Sequence, residues 1–308
     1  MFERWPPGDR QAAQRLKECI KKARDYPPLN RAMTSALRSG VRRAGRVPAP
    51  LVRFLPRVGT VEAPLPSGDT LRLWSRGDDD IATAVFWRGW SGHEPETSPY
   101  FYELATRASV TLDVGAHVGY FSLLAALANR SGTVHAFEPL PAARARLERN
   151  LSLNRLGNVF VHAVALADRS GSAEFFYVPD SIPSSSSLSR PFMESIVAKD
   201  RLAVAEVSVT TGDQFVAAHD IEKVDLVKID TEATEDAVLE GMVDTLERDG
   251  PSVICEILPD APAKAIEDLL RSLGYRFALI TGSGPRPCEH VTPHPTWRNF
   301  LFRRSDNR

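Results

Sequence analysis

Residues 110–130, VTLDVGAHVGYFSLLAALANR, constrain the fold more than any other stretch of the chain. An apolar run of strand length meets Asp113, then Gly115 and, four residues on, Gly119; an apolar helical run follows. Strand, glycine turn and helix in this order begin a unit in which helices join parallel strands. The rest of the chain continues the alternation. TVHAFEP (133–139), VFVHAVAL (159–166), KVDLVKID (223–230), PSVICEIL (251–258), YRFALIT (275–281) and RNFLFRR (298–304) read as strands. LPAARARLERNLSLNRLG (140–157), EDAVLEGMVDTLER (235–248) and APAKAIEDLLRSLG (261–274) read as helices, the first with Ala143, Leu147 and Leu151 on one face. SAEFFYV (172–178) and AEVSVTT (205–211) are further strands, joined by a loop that holds SIPSSSSLS. Near-continuous apolar strands predict an α/β fold, a mostly parallel sheet with helices on both faces.

The N-terminal part is different in kind. Residues 1–60 hold fourteen Lys and Arg against four Asp and Glu, in a chain whose net charge is −1. Two helices are expected there, QAAQRLKECIKKA and LNRAMTSALRSGVRRA, separated by Pro27 and Pro28. VFWRGW (85–90) reads as a short strand or a helix-to-loop transition. The expected organisation is a basic extension over 1–67, a lead-in segment over 68–108 that packs on the core, and a ligand-binding domain over 109–308. Basic residues scattered among few aromatics argue against specific nucleic-acid readout and suit a solvated arm. Cys19, Cys255 and Cys288 form no CxxC pair, so neither a disulfide framework nor a zinc site is expected. The N-terminus lacks the apolar core of a leader, and no apolar run reaches the ~20 residues a membrane helix needs. A cytoplasmic chain without a membrane span is the expectation, and a homo-oligomer is compatible with it.

In such sheets ligands bind at the carboxyl ends of the strands. The turn Gly115-Ala-His-Val-Gly119 lacks the middle glycine of GxGxxG, and no GxxxxGK[ST] is present, so a pyrophosphate is not the expected ligand. The next strand ends in Glu138, placed to accept from a ribose diol, and Asp168 in ALADRSG could accept from an adenine amino group. Asp113 is expected near the ligand's amino-acid end. An adenosyl sulfonium with a zwitterionic tail, S-adenosylmethionine, meets these demands.

The runs LDVGAHVGYFSLLAA, VHAFEPLPAARARLERNLSLNRL, AVALADRSG, VDLVKIDTEATEDAVLEG and ICEIL together resemble the FkbM family of S-adenosylmethionine-dependent methyltransferases, as does FWRGWSGHEPETSPYF upstream. The resemblance covers roughly residues 68–303. It implies a class I, Rossmann-like sheet of seven strands with the last antiparallel, and methylation of hydroxyls on sugars, polyketides and other specialised metabolites, glycans or peptides. It also implies cofactor binding by Gly115, His117, Gly119, Glu138, Asp168 and Asp230, with Glu94 and Glu96 shaping the pocket rim. His117 stands where the family usually has Asn, and KIDTEATE stands for KIDVEGAE, so the turn after Asp230 loses its glycine.

Methyl transfer to oxygen needs donor and acceptor aligned and a proton removed. Asp230 is the first candidate for base or acceptor-orienting group, with Glu232 and His93 as further catalytic candidates and Glu256 near the end of the next strand. Lys228 shares a strand face with Asp230 and can serve as an ion-pair partner. A small-molecule, glycan or peptide acceptor is expected, and no metal. Two rival readings share the sheet: a nicotinamide oxidoreductase, disfavoured by the missing GxGxxG, and a non-catalytic binding protein of the same fold.

Overall fold

The computed structural model describes residues 26–44, 55–179, 182, 186–259 and 261–304. The expected helix QAAQRLKECIKKA, Cys19 and most of the SIPSSSSLS segment lie outside these residues. The chain divides into two compact units, residues 1–65 with 72–93, and residues 66–71 with 94–308.

In the first unit, helix α1 (Pro27–Ala44) starts at the proline pair that sequence reading placed between two helices. Proline suits a first helical turn, whose N–H groups have no intrahelical acceptor in any case. Asn30, buried on α1, donates from its amide to the Pro56 carbonyl at 2.9 Å and accepts from the N–H of Val58 at 2.9 Å. Those bonds tie the helix to strand β1 (Val58–Pro64), which pairs with β2 (Thr70–Arg76). Helix α2 (Asp80–Arg88) is capped by the Asp79 carboxylate, which accepts from the N–H groups of Ile81 and Ala82. It ends at Gly89 with φ +96°, so VFWRGW is a helix-to-loop transition.

The second unit opens with α3 (Thr97–Ala105) and β3 (Val110–Val114). Then come α4 (Tyr120–Ala128), β4 (Thr133–Phe137), α5 (Pro141–Asn154) and β5 (Val159–His162). The chain next builds β6 (Ala165–Leu166), β7 (Gly171–Tyr177), β8 (Ser186–Ser187), α6 (Arg190–Ile196) and β9 (Ala203–Thr210). It returns through α7 (Gly212–Ala218), β10 (Leu226–Ile229), α8 (Glu235–Glu240), α9 (Val243–Asp249) and β11 (Ser252–Glu256). Helix α10 (Ala263–Ser272), β12 (Tyr275–Thr281), β13 (Gly284–Cys288) and β14 (Asn299–Arg304) complete it.

Among the described residues, eight strands form the main sheet in the order β13-β12-β14-β11-β10-β3-β4-β5. Strands β5, β4, β3, β10 and β11 run parallel, and β14 is antiparallel to both neighbours. This is the class I arrangement that the sequence resemblance implies, widened by β13, an edge strand the sequence reading did not include because GPRPC has neither apolar alternation nor β-branched residues. VFVHAVAL is not one strand. It breaks after His162, and Ala165–Leu166 leave the main sheet to pair with β9. Strands β6, β9, β7 and β8 make a separate four-stranded sheet, so SAEFFYV and AEVSVTT are antiparallel partners rather than members of the main sheet. EDAVLEGMVDTLER likewise divides into α8 and α9 at Gly241, where an added Cβ would strike the Ala167 carbonyl.

One face of β3, β10 and β11 buries Leu112, Val114, Val227, Ile229, Val253 and Cys255 against Phe215, Leu239 and Ile266. By alternation the other face carries Asp113 and Lys228, both buried. A polar pair there has to find partners, and those partners define the site described below.

The two glycines of the opening turn answer to the protein itself. Gly115 has φ +83°, and a Cβ on it would collide with the Asp230 main-chain oxygen. Gly119 has φ +85°, and a Cβ would meet Leu147 Cγ of α5 at 2.7 Å. Gly115 therefore lets β3 and β10 close on each other where they leave the sheet. Gly115→Ala is expected to lower unfolding free energy by about 2–4 kcal/mol in chemical denaturation. Gly157→Ala, with nothing within 4 Å of the added carbon, should stay within about 0.5 kcal/mol of the parent.

Candidate active site at the carboxyl edge of the sheet

Two polar clusters meet at the carboxyl ends of the central strands. The first is built on the β3–α4 turn. Asp113 is 2% exposed and accepts a 2.5 Å hydrogen bond from the Ser122 hydroxyl of α4. Burial raises its pKa to about 6, partly offset by the Ser122 bond and by Lys228. Asp113 thus anchors the turn from below. His117 sits at φ +51°, and its main-chain N–H donates to Glu138 Oε2 at 2.9 Å. Left-handed backbone there explains why Asn is the common residue in the resembling family: Asn tolerates this region better than most side chains, and His is also enriched in it. The contact with Glu138 comes from the main chain and survives the change of side chain.

Glu138 follows β4. Its other oxygen accepts from the N–H of Leu140 at 2.8 Å. At 4% exposure, burial raises its pKa to about 7 despite those two backbone bonds and the nearby Arg144. A carboxylate offers about four lone-pair directions, so the two backbone donors leave acceptor capacity on Glu138.

The second cluster lies on β10, β11 and β14. Lys228 is fully buried, with Nζ 3.4 Å from Asp230 Oδ2 and 5.0 Å from the centre of the Phe121 ring. Burial alone would lower the lysine pKa; Asp230, Glu94 and Glu256 outweigh it and hold the ammonium charged. The strand register pairs Ile229 with Cys255 and Glu256 with Asn299, so one step further Asp230 stands beside Glu256 at the sheet's edge. Asn299 donates from Nδ2 to Glu94 Oε2 at 2.9 Å, and its Oδ1 is buried without a hydrogen-bond partner. Burial and the neighbouring Asp230 push Glu256 up to about 10, with Glu94 and Glu232 adding to the shift and Lys228 opposing it. Burial beside Asp230 thus favours the protonated form of Glu256. Among the described residues, no group of three or more His, Cys, Asp or Glu is placed to hold a metal ion.

The turn after Asp230 keeps a left-handed shape without its glycine. Glu232 has φ +56° and Ala233 φ +71°. Glu235, missed in the sequence reading, holds it: Oε1 accepts from Thr231 N at 3.0 Å, Thr231 Oγ1 at 3.1 Å and Ala233 N at 3.2 Å. Its Oε2 is buried and unpartnered, and burial raises its pKa to about 7. The last Glu of KIDTEATE was the available signal, since an acid at the start of a helix can reach back to the preceding main-chain N–H groups.

Of the other expected site residues, Asp168 is exposed and paired with Arg169 at 3.0 Å. Glu96 is half-buried at the start of α3, with no side-chain capping bond. His93 is half-buried and belongs to the first unit.

Comparison with known proteins adds four findings. Residues 113–277, more than half of the chain, match the model of the Methyltransferase FkbM domain. The 31-O-demethyl-FK506 methyltransferase FkbM of Streptomyces tacrolimicus is 30% identical over 201 residues, 57% of this chain and 72% of that protein. AMB antimetabolite synthetase AmbE of Pseudomonas aeruginosa is 28% identical over 224 residues, 60% of this chain but only 10% of the synthetase. A solved FkbM methyltransferase from Methylobacillus flagellatus KT superposes at TM-score 0.41 with 14% identity, over 73% of this chain and 54% of that one.

An L-residue in the left-handed region costs about 1–2 kcal/mol. Ala233→Gly is expected to raise the melting temperature by about 2 °C; a fall on calorimetry would show that Ala233 is not strained.

Proposed function

The chain belongs to the FkbM methyltransferase family, and on that basis we propose that it transfers a methyl group from S-adenosylmethionine to a hydroxyl oxygen of a small molecule. The observation that carries the reading is Glu138, a buried carboxylate at the end of β4, bonded to the glycine turn and with acceptor capacity left over. A ribose diol supplies the donors such a group requires.

The donor set fits the cofactor's charge as well. Glu94, Asp230, Glu232 and Glu256 all act electrostatically on the same spot, and the buried cation among them is Lys228. Extra negative charge at the sheet edge suits a ligand with a sulfonium and an ammonium. Glu138 would take the ribose hydroxyls, and the turn from Gly115 to Gly119 would border the amino-acid tail. When bound, the cofactor supplies an electrophilic methyl carbon.

The chain's own residues do the rest. Lys228 fixes the Asp230 carboxylate in direction through their 3.4 Å contact. Asp230 is the acid that would accept the proton of an approaching hydroxyl. Burial favours the protonated form of Glu256, which then adds no negative charge beside Asp230. Glu235 fixes the Thr231–Ala233 main chain and so the direction from which an acceptor arrives. The name of the Streptomyces tacrolimicus relative specifies transfer to oxygen, which supports a hydroxyl over a nitrogen acceptor.

Calorimetric titration with S-adenosylhomocysteine tests the cofactor assignment. Binding is expected, with no heat from NAD. Hydroxyl donors favour the ionised form of Glu138, whose pKa is raised to about 7. Affinity should therefore increase by up to about tenfold per pH unit as pH rises towards 7, then level off. Glu138→Ala should weaken binding at least about tenfold and remove that pH dependence. Heat from NAD alone would contradict the proposal. For Asp230, radiolabelled methyl transfer to a pooled hydroxylated acceptor set should fall about 10²–10⁴-fold in Asp230→Asn, with homocysteine affinity within threefold of the parent at about equal folded fraction; an unchanged rate would remove Asp230 from the base role.

A further inference from the structure

A cavity of about 470 Å³ is lined by none of Gly115, His117, Gly119, Glu138 or Asp230, and shares only Asp168 with the residues expected at the cofactor. Its walls come from Ala173, Glu174 and Phe176 of β7, the segment from Leu188 into α6, Val209 of β9, and Ala237 of α8. It begins where the transfer site ends. The Ser187 hydroxyl donates to the Glu232 carbonyl at 2.6 Å, and the cavity is lined by the next residue, Leu188, on one side and by Thr234 on the other. A molecule filling it has one end at the turn that follows Asp230. The volume falls within the ~300–1,000 Å³ usual for small-molecule pockets.

Its polar groups are specific in kind. Arg169 and Arg190 both line it, and each guanidinium is already neutralised, Arg169 by Asp168 at 3.0 Å and Arg190 by Glu194 at 2.9 Å. A phosphate or carboxylate would find no uncompensated positive charge. What the rim does offer is N–H donors on Arg169 and Arg190 next to carboxylate acceptors on Asp168 and Glu174, around apolar walls. Arg190 also lies over the Phe176 ring, 5.7 Å from its centre. Donors alternating with acceptors suit groups that do both at once, and the hydroxyl is the compact neutral group that does so from a single atom. The apolar walls suit the carbon faces of a ring.

We propose that this cavity binds the part of the acceptor remote from the methylated oxygen, and that this part is a neutral ring system bearing several hydroxyls. The proposal rests on the hydroxyl-methylation reading above. It makes the insertion between β5 and β10 the specificity element of the chain: the second sheet and α6 select the acceptor, while β3, β4 and β10 carry the transfer site.

Saturation-transfer NMR on the full chain tests it, with maltose, cellobiose and lactose as neutral probes and glucose 6-phosphate as the charged one. Transfer to at least one neutral disaccharide is expected, stronger than to glucose 6-phosphate. Ala173→Phe fills the cavity and should reduce that signal at least fivefold. Arg190→Ala, on an exposed side chain that leaves the core untouched, should weaken affinity by about tenfold, the loss of a hydrogen bond from a charged donor. S-adenosylhomocysteine binding is measured on the same samples and should be unchanged in both variants. S-adenosylhomocysteine binding with no transfer to any neutral disaccharide overturns the cavity proposal and leaves the methyl-transfer reading standing. Equal signals in parent and Arg190→Ala, or stronger transfer to glucose 6-phosphate, also overturn it. Disaccharide binding without S-adenosylhomocysteine binding contradicts the methyl-transfer reading, and the cavity's role as an acceptor site falls with it.

Discussion

A lysine with no solvent exposure sits on the central strand of this protein, and the arrangement around it follows from that one charge. An isolated ammonium in a sheet interior would be neutralised or would unfold its surroundings. Lys228 remains charged because carboxylates converge on it from three directions: Asp230 on its own strand, Glu256 on the neighbouring strand, and Glu94 from the segment before α3. Burial, and then the neighbouring Asp230, favour the protonated form of Glu256. The result is an edge that is ionised, protonated and partly unpartnered at neighbouring positions, which is how folds prepare proton transfer and cation binding.

Backbone geometry brings this charged row against the cofactor turn. Because Gly115 has no Cβ, the Asp230 carbonyl can lie against it, and β3 and β10 stay close as they leave the sheet. Glu138 then binds the same turn from β4 through the His117 N–H. Asp113 holds it from beneath through Ser122. The glycine turn, Glu138 and the row from Lys228 to Asp230 are one connected object, with left-handed backbone at Glu232 and Ala233 beside it.

Much of this was legible in the sequence because it follows from local pattern. Apolar strands of five to eight residues, a DxGxxxG turn and an acid at the next strand end specify which edge of which sheet carries the chemistry. The pairing of Lys228 with Asp230 follows from alternation alone. The rest depends on tertiary contacts that no window of sequence records. VFVHAVAL reads as one strand because nothing in its composition says that Ala165 will find Val209, far along the chain. Asp168 has the position of an adenine acceptor, and its pairing with the neighbouring Arg169 is a contact that position alone does not give. Glu235 and Asn299 were invisible because their importance lies in what their carboxyl and amide groups reach, and the second sheet's cavity is lined by residues from four separate elements and the loops beside them. The missing glycine of KIDTEATE suggested a changed turn; three hydrogen bonds accepted by one carboxylate oxygen keep the left-handed path with Ala233 in its place.

The central claim is that the cleft between Gly115, Glu138 and Asp230 is the cofactor site. A crystal structure of the full chain grown with S-adenosylhomocysteine measures it most directly. The account predicts the ribose hydroxyls on Glu138 and the sulfur on the side of Asp230, with the Gly115–Gly119 turn along the amino-acid tail. S-adenosylhomocysteine density elsewhere, with Glu138 still bonded to His117 and Leu140 alone, would contradict it.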